Sequence, residues 1–461
     1  MEKVIMKFLG SEYLIRNHTG IKIFKTIQHL PIVDMHNHAN VPELANNQPY
    51  RNLWQVMGES DHYVWEAMRG AGVKEFLITG NGKPQEKFMA LCDIFPQLIG
   101  NPVYEWLHLD LRRIFDLDLL LNRENGEKIW HQCNAMLQRE EFLPLNLLRR
   151  MNVELMCSTD DPVDLLNEHA QVNKAFGSVV LRPTWRPDKI MKIEAPSFPD
   201  YIQKLNERFN MNIQSFADVA LAMRKSHDYF AANDALASDH GITTPPTGEI
   251  SRSEADHALA KRLRGETLTA LEINAFANCV LNTAAQLDSE KNWVFQLHLG
   301  AVRDVRNSLF DEFGPDCGGD ICDSMLKLRE GLVDLLNNFD NQLKVIVYSL
   351  DPAHQPMLAS VCRAFGNQVR MGSAWWLCDS PIGMKRQLEY IGAVDLLSKF
   401  GGMVSDSRKI LSYGSRFEMF RRILADVLGE MVENGQAPEA AAIDLASYVA
   451  YHGPKKFFIG Q

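Results

Sequence analysis

The chain lacks long apolar runs and an excess of positive charge. No stretch of its 461 residues approaches the roughly 18 apolar residues of a membrane helix, and charges near the N-terminus interrupt the apolar core that a signal peptide needs. With 48 Lys and Arg against 58 Asp and Glu, the net charge of −10 disfavours binding to nucleic acid phosphates. We therefore expect a cytoplasmic protein with no membrane span and no nucleic acid partner.

Two further motifs are absent. None of the eight cysteines belongs to a CxxC pair, which predicts reduced core thiols. No GxGxxG motif follows the first predicted strand, so the sequence offers no sign of a nucleotide cofactor and disfavours a doubly wound sheet. The composition, with 46% hydrophobic and 23% charged residues, is that of a globular protein and excludes disordered or fibrous chains.

Short apolar runs alternate with segments of helical period along most of the chain. The predicted strands are 32–36, 154–159, 178–182, 235–240, 293–298, 343–348, 368–372 and 402–406. This alternation predicts a parallel α/β fold, and eight strands favour a TIM-type (β/α)8 barrel over the doubly wound alternative. We expect an N-terminal helical segment over 1–30, a barrel over 31–40 and 150–461, and a largely helical insertion over 41–149.

Histidines and an aspartate end three of these strands. His36 and His38 are two residues apart at the end of the first, so both imidazoles point to one side, towards the end where barrel active sites lie. His298 and Asp406 end the fifth and eighth strands, although each alone is more often a hydrogen-bonded structural residue. Imidazole and carboxylate suit zinc and related ions, and no lysine ends the fourth strand to bridge two metals. The sequence predicts one divalent metal.

Other polar and aromatic residues fall on predicted loops. Tyr63 follows Asp61 in the insertion and could exchange a proton, but the motif taken by itself favours a surface Asx-turn followed by a packed tyrosine. The loop 182–189 holds three cations and predicts an anion clamp, and Arg408 follows Asp406 by two residues. The tandem tryptophans at 375–376 either pack in the core or wall a sugar site.

Taken in order, these motifs resemble those of uronate isomerases in the amidohydrolase superfamily. The segments that carry the resemblance are 34–38, 61–63, 158–162, 182–188, 238–241, 296–301, 372–376 and 405–408, and the match runs from about residue 20 to the C-terminus. Met35, Asn37 and the segment 377–380 depart from the family's commonest forms. None of these departures removes a proposed ligand or proton carrier.

The resemblance implies a distorted barrel of the metal-dependent hydrolase type and aldose–ketose isomerisation of a hexuronate. The implied pairs are D-glucuronate with D-fructuronate and D-galacturonate with D-tagaturonate, through a cis-enediol. It also implies one divalent ion, zinc first, with manganese, cobalt or iron as alternatives. The oligomeric state stays open, and a homo-oligomer is compatible with the family.

The same resemblance implies roles for individual residues. The implied metal ligands are His36, His38, His298 and Asp406. The implied catalytic residues are Asp406 as base, Tyr63 as proton shuttle, His62 and Arg408, and the implied substrate-binding residues are Arg186, Arg408, Trp375, Trp376 and Asp239.

Two other functions compete with isomerisation. A metal hydrolase such as a deaminase or lactonase would use the ion to activate water, but the arginine pair and the missing bridging lysine disfavour it. A non-catalytic carbohydrate-binding barrel would need only the tryptophans and arginines, and the retention of every proposed ligand argues against it.

Overall fold

Seven short parallel strands form two sheets in the computed structural model, which describes residues 7–460. The strands are β1 (Ile32–Asp34), β2 (Val153–Cys157), β3 (Leu181–Arg182), β4 (Ala237–Ile242), β5 (Val294–Leu299), β6 (Lys344–Ser349) and β7 (Val369–Met371). One sheet has the order β1-β2-β3 and the other β4-β5-β6-β7. The predicted parallel α/β fold is confirmed.

Helices occupy most of the remaining described chain. Those before β3 are α1 (His18–Ile27), α2 (Val41–Asn46), α3 (Leu53–Met57), α4 (His62–Gly70), α5 (Pro84–Ile94), α6 (Pro102–Ile114), α7 (Gly126–Leu137), α8 (Pro144–Arg150) and α9 (Asn167–Phe176). Those between β3 and β6 are α10 (Asp188–Met191), α11 (Phe198–Phe209), α12 (Phe216–Ala231), α13 (Arg252–Leu263), α14 (Ala270–Lys291), α15 (Asn307–Phe313) and α16 (Leu328–Asn338). The last are α17 (Gln355–Ala364), α18 (Pro381–Val394), α19 (Ser412–Glu433), α20 (Glu439–Ser447) and α21 (Gly453–Ile459).

The segment 402–406 differs from the sequence prediction, because it is not a strand. Gly402 has φ +114° and Asp406 has φ +48°, and neither value belongs to extended backbone. The segment still lies between β7 and β1: the Gly401 amide donates to the Met371 carbonyl (2.8 Å), and the Asp406 amide donates to the His36 carbonyl (3.2 Å). The left-handed turn at Asp406 therefore replaces the end of the predicted eighth strand.

Trp185 connects the two sheets on their other side. Its amide donates to the Ala237 carbonyl at 3.2 Å, and its carbonyl accepts from the Asp239 amide at 3.0 Å. β3 itself is shorter than predicted, since it begins only at Leu181. β3 and β4 are thus linked through the backbone of Trp185 rather than through a regular ladder of hydrogen bonds.

Two apolar clusters hold these elements together. The larger cluster runs through the helices, including those between β1 and β2, and through the strand faces that meet them. The smaller cluster is enclosed by the strands, and its members on the strands and on 402–406 include Val33, Leu155, Cys157, Ala237, Val294, Ile346, Tyr348 and Val404. Leu155 and Cys157 on β2, and Ile346 and Tyr348 on β6, are two residues apart and so face the same cluster, as the two-residue period of a strand requires.

All eight cysteine thiols, which lie within the described residues, are free, and six of them are buried. In the part of the chain that the structure describes, no helix combines the length and apolarity needed to cross a bilayer. Residues 1–6 of the predicted N-terminal helical segment, and residue 461, lie outside the described residues.

Candidate active site

A cavity of about 650 Å³ opens where the carboxyl ends of the strands meet. Side chains from distant parts of the sequence line it, namely His36, His38, His62, Tyr63, Arg186, His298, Trp375, Trp376, Asp406 and Arg408. The structure thus brings together every residue predicted for the site except Asp239, which lies fully buried behind the cavity wall. Parallel strands direct residues at their carboxyl ends towards one edge, which explains this convergence.

Asp406 lies between the two histidines of the first strand end. Its Oδ1 is 3.0 Å from His36 Nε2 and 3.3 Å from His38 Nε2. On the far side of its ring, His38 Nδ1 lies 2.8 Å from the Thr159 hydroxyl. The left-handed backbone at Asp406 thus places one carboxylate oxygen against both imidazoles.

Asp239 lies beneath the group formed by His36, His38 and Asp406. Its Oδ1 lies 2.6 Å from His298 Nδ1, and its Oδ2 lies 3.0 Å from His36 Nδ1. The Nη1 of Arg186 lies 3.3 Å from the same Oδ2. Asp239, predicted to bind substrate, therefore contacts the rest of the site through two imidazoles and a guanidinium.

The charges of the site are set by burial and by these contacts. Burial lowers the pKa of His38 and of His298 to about 4, so both are neutral near pH 7. Burial opposes protonation of His36 as well, but the carboxylates of Asp239 and Asp406 outweigh it and raise its pKa to about 9. Burial would raise the pKa of Asp406, yet hydrogen bonds from His36 and His38 hold it well below its usual range.

This group fits a divalent cation. His36, His38 and Asp406 offer three ligand atoms within 4.8 Å of one another, as do His36, Asp239 and His298. The buried Nε2 of His298 has no hydrogen-bond partner among the described residues. Nitrogen and carboxylate oxygen in this ratio suit zinc, manganese, cobalt or iron, and a cation would compensate the two clustered carboxylates.

Tyr63 faces the cavity from helix α4. Asp61 caps that helix and accepts from the amides of Tyr63 (2.9 Å) and Val64 (3.4 Å). Asp61 is buried and pairs with Lys409 at 2.8 Å, so the alternative of a surface turn is wrong for this motif. The Tyr63 hydroxyl donates to Asp379 Oδ2 at 2.7 Å, and that carboxylate also pairs with Arg416 at 2.9 Å.

Sequence reasoning missed Asp379 and Arg416. Asp379 lies three residues after the tandem tryptophans, in the segment 377–380 that departs from the commonest family forms. Its closeness in sequence to the predicted tryptophans was the one signal that could have pointed to it. Arg416 lies inside the long, largely buried helix α19 and is only 2% exposed. A buried arginine requires an anionic partner, and only the folded chain shows which one it has.

Both predicted arginines, Arg186 and Arg408, line the cavity. Arg186 crosses the surface of β4, where a Cβ on Gly241 would lie 2.5 Å from its Nη2, so a larger residue there would displace the guanidinium. Arg408 pairs with both oxygens of Asp316 at 3.0 Å. Arg182, in the loop predicted as an anion clamp, donates instead to the Asp234 carbonyl and does not line the cavity.

Both predicted tryptophans line the cavity and are buried. The Trp375 ring contacts the His298 ring edge-on, with centroids 4.7 Å apart. The Arg303 guanidinium lies 4.9 Å from the centroid of Trp376. The pair therefore forms an apolar wall next to the imidazoles.

Buried imidazoles and carboxylates at the ends of parallel strands, beside arginines and an apolar wall, define an α/β enzyme with a candidate metal centre. Comparison with known proteins identifies the enzyme family within this class. The family model described as glucuronate isomerase matches residues 5–458. The chain belongs to this family, and the resemblance to it and the prediction of an isomerase are confirmed.

Individual relatives support the membership of the chain in this family. The chain is 44% identical over 453 residues to the uronate isomerase of Thermotoga maritima, covering 98% of this chain and 100% of that one. It is 37% identical over 466 residues to the uronate isomerase of Haemophilus influenzae, with coverage of 98% and 99%. The crystal structure of the Thermotoga maritima enzyme superposes with a TM-score of 0.96 at 43% identity, over 98% of this chain and 100% of the other.

Proposed function

We propose that this chain is a metal-dependent isomerase that interconverts D-glucuronate with D-fructuronate and D-galacturonate with D-tagaturonate. One observation carries the proposal: the imidazole–carboxylate group, the Tyr63 phenol and two arginines line the same cavity. A hexuronate needs this combination, because its own carboxylate requires cations and its α-hydrogen requires a base. Membership of the family supports the same conclusion.

His36, His38 and Asp406 would hold the metal ion, and the partnerless Nε2 of His298 makes that residue a candidate fourth ligand. Zinc is the first candidate, with manganese, cobalt and iron as alternatives. When bound, the ion supplies electrostatic stabilisation for negative charge that develops on a substrate oxygen.

The protein's own groups account for the proton transfers. The Asp406 carboxylate, whose pKa is held low, removes the proton at C2 of the open-chain aldose and returns it at C1. Tyr63 moves a proton between the two oxygens of the cis-enediol. His62 lines the cavity wall with its ring 4.8 Å from that of Trp65, and Arg408 balances negative charge on the enediol.

Orientation of the sugar comes from the cavity walls. Arg186 and Arg408 bind the sugar carboxylate and hydroxyls, since guanidinium pairs with carboxylate in a fixed geometry. Trp375 and Trp376 exclude water from one side of the cavity. Asp239 supports this arrangement from behind by orienting His298 and Arg186.

We also propose that the two sheets belong to one distorted (β/α)8 barrel. The link at Trp185 and the backbone bonds from 401 and 406 to the neighbouring strands support closure on both sides. In this proposal the barrel comprises 31–40 and 150–461, with the helical insertion over 41–149 and an N-terminal helical segment over 1–30.

A metal add-back assay tests the proposed reaction. The protein is stripped with a chelator, then zinc, manganese, cobalt or iron(II) is returned with glucuronate or galacturonate, and ketose formation is followed. We expect activity to be lost on stripping and restored by at least one metal. Absence of conversion with every metal, or hydrolysis of a sugar lactone without isomerisation, would contradict the proposal.

A further inference from the structure

Asp379 lies behind Tyr63 and does not reach the cavity. It is 3% exposed and is not among the residues that line the cavity, whereas Tyr63 is. The Tyr63 hydroxyl donates a hydrogen bond to Asp379 Oδ2 at 2.7 Å. Because a phenol has only one proton, its oxygen then has lone pairs left to accept a hydrogen bond from the cavity side.

Arg416 holds the Asp379 carboxylate in place. Its Nη1 donates to Asp379 Oδ2 at 2.9 Å and to the Ser405 carbonyl at 2.8 Å. Its guanidinium also lies over the rings of Tyr63 and Trp106, at 4.6 and 4.0 Å from their centroids. One buried cation therefore fixes the phenol, its acceptor and the backbone immediately before Asp406.

A tight turn brings Asp379 to this position. Leu377 has φ +56°, and the Cys378 amide donates back to the Trp376 carbonyl at 2.6 Å. Ser380 then caps helix α18 and accepts from the Gly383 amide at 3.2 Å. The turn that carries Asp379 is thus anchored to the helix that follows it.

We propose that Asp379 is a positioning residue that makes Tyr63 a two-way proton carrier for the isomerisation, acting as acceptor for the phenol proton. The inference rests on the proposed function. A substrate hydroxyl gives its proton to the Tyr63 oxygen, while the phenol proton moves to Asp379 Oδ2. In the reverse transfer Asp379 returns its proton to the Tyr63 oxygen, and Tyr63 gives a proton to the other enediol oxygen. Tyr63 and Asp379 therefore end the cycle in their starting protonation states.

The electrostatic surroundings of Asp379 agree with this role. Burial raises its pKa to about 6, against the lowering effects of Arg416 and of the hydrogen bond from Tyr63, while Asp406 acts to raise it. These are the charged and titratable groups that face it, from α19, from α4 and from the segment 402–406. A carboxyl group that titrates close to the working pH accepts and returns a proton with little energetic cost.

The first test compares Asp379→Asn, Asp379→Glu, Tyr63→Phe and the double variant, each as metal-loaded enzyme on glucuronate. We expect Asp379→Asn to lower kcat by about 50-fold with KM within threefold, and Asp379→Glu to recover at least part of that loss. Because Asp379 acts through Tyr63, the double variant should be no slower than Tyr63→Phe within about twofold. Additive losses, or Asp379→Asn with wild-type kcat, would overturn the proposal.

A matched control is Asp110→Asn. Asp110 is also buried, also feels the charge of Arg416 and also has a pKa raised to about 6 by burial, but it does not contact Tyr63. Removing its charge should leave kcat within about twofold of wild type. A loss there equal to that of Asp379→Asn would attribute the effect to a buried charge in general and overturn the proposal.

The pH profile provides a readout that does not require Asp379→Asn to fold. Asp379 accepts a proton only when ionised, so wild-type kcat should fall as the pH drops through about 6. Tyr63→Phe retains the Asp379–Arg416 pair but removes the donor, so its residual kcat should lack this acid limb where metal content is unchanged. An identical limb in both proteins would overturn the inference.

The two proposals fail in different ways. A wild-type enzyme that converts no uronate with any metal overturns both. A wild-type enzyme that is active and slowed by Tyr63→Phe, but not by Asp379→Asn, overturns only the role of Asp379.

Discussion

The two sides of the cavity are built from different kinds of structure. The imidazole side consists of His36 and His38 just after β1, Asp239 on β4, His298 on β5, and Asp406 in the segment 402–406 beside β1. The phenol side consists of Tyr63, Asp379 and Arg416, which lie on a helix between β1 and β2, on a turn and on the buried helix α19.

Their charge balance differs as well. The imidazole side clusters two carboxylates and keeps a buried nitrogen of His298 without a partner among the described residues, and its groups could hold a metal ion. On the phenol side, Asp379 is already paired with Arg416 and accepts the hydrogen bond from the Tyr63 hydroxyl. One side therefore offers ligand atoms for a cation, whereas the polar groups of the other side are paired with one another.

The strongest way to separate the two sides is His36→Ala. His36 contacts both Asp239 and Asp406, so its removal takes away a ligand shared by both candidate groups. We expect bound metal to drop well below one equivalent and kcat/KM to fall by about a thousandfold or more. Metal analysis beside the kinetic assay checks this, and full metal occupancy would contradict the assignment of the imidazole side.

Tyr63→Phe should disable the phenol side alone. It deletes the hydroxyl that donates to Asp379, and kcat should fall by about a hundredfold because a proton carrier is lost. Bound metal should stay at the wild-type level, since Tyr63 belongs to neither ligand group. If metal were lost together with activity, the two sides would not be separable.

Gly383→Ala should disturb the phenol side without touching its polar groups. A Cβ at this position would lie 1.9 Å from the Cys378 carbonyl oxygen, so the turn that carries Asp379 must move. We expect about 1–3 kcal/mol of lost stability, a lower kcat and unchanged metal content.

Gly392→Ala is its control on the same helix. A Cβ there would meet nothing within 4 Å, and alanine is the better helix former, so a small gain in stability is expected. Thermal unfolding and kinetics of both variants check the pair. Equal behaviour of the two variants would show that the turn is not held by Gly383.

The smallest effect on activity is expected for Asp110→Asn, which changes stability instead. Burial raises the pKa of Asp110 from 3.8 to about 6, so between these values the folded protein keeps a proton that the unfolded chain has lost. Wild-type stability should therefore decline as the pH rises through this window, by up to about 3 kcal/mol. Asparagine removes this dependence on pH.

Denaturant or thermal unfolding near pH 5 and pH 7.5 tests whether wild-type stability declines with rising pH. The variant should gain stability relative to wild type at the higher pH, with kcat within about twofold at both. A variant that is less stable at the higher pH would show that the ionised Asp110 carboxylate stabilises the fold.

The imidazole side was predictable because its signals are local. Residues two apart on a strand share a face, and strand ends of a parallel sheet meet at one edge, so the amino-acid pattern alone could assign His36, His38 and His298 to one site. The prediction for 402–406 had the position of Asp406 right but its backbone wrong. The left-handed turn at Asp406 depends on neighbours at His36 that lie 370 residues away.

The phenol side was only half predictable. Tyr63 stood out through its motif, but nothing near Asp379 or Arg416 in the sequence shows that they meet, because they belong to different elements and their pairing is decided by packing. A buried arginine needs a buried anion, yet several acids were available along the chain.

The alternation of strands and helices, the family and the residues at the strand ends all follow from the order of amino acids, because each is encoded in local periodicity and motifs. Three features required the folded chain: which carboxylate accepts the hydrogen bond of Tyr63, the position of Asp239 behind the cavity wall, and the turn in the segment 402–406. They arise from contacts between residues far apart in the chain, and such contacts leave no periodic pattern along it.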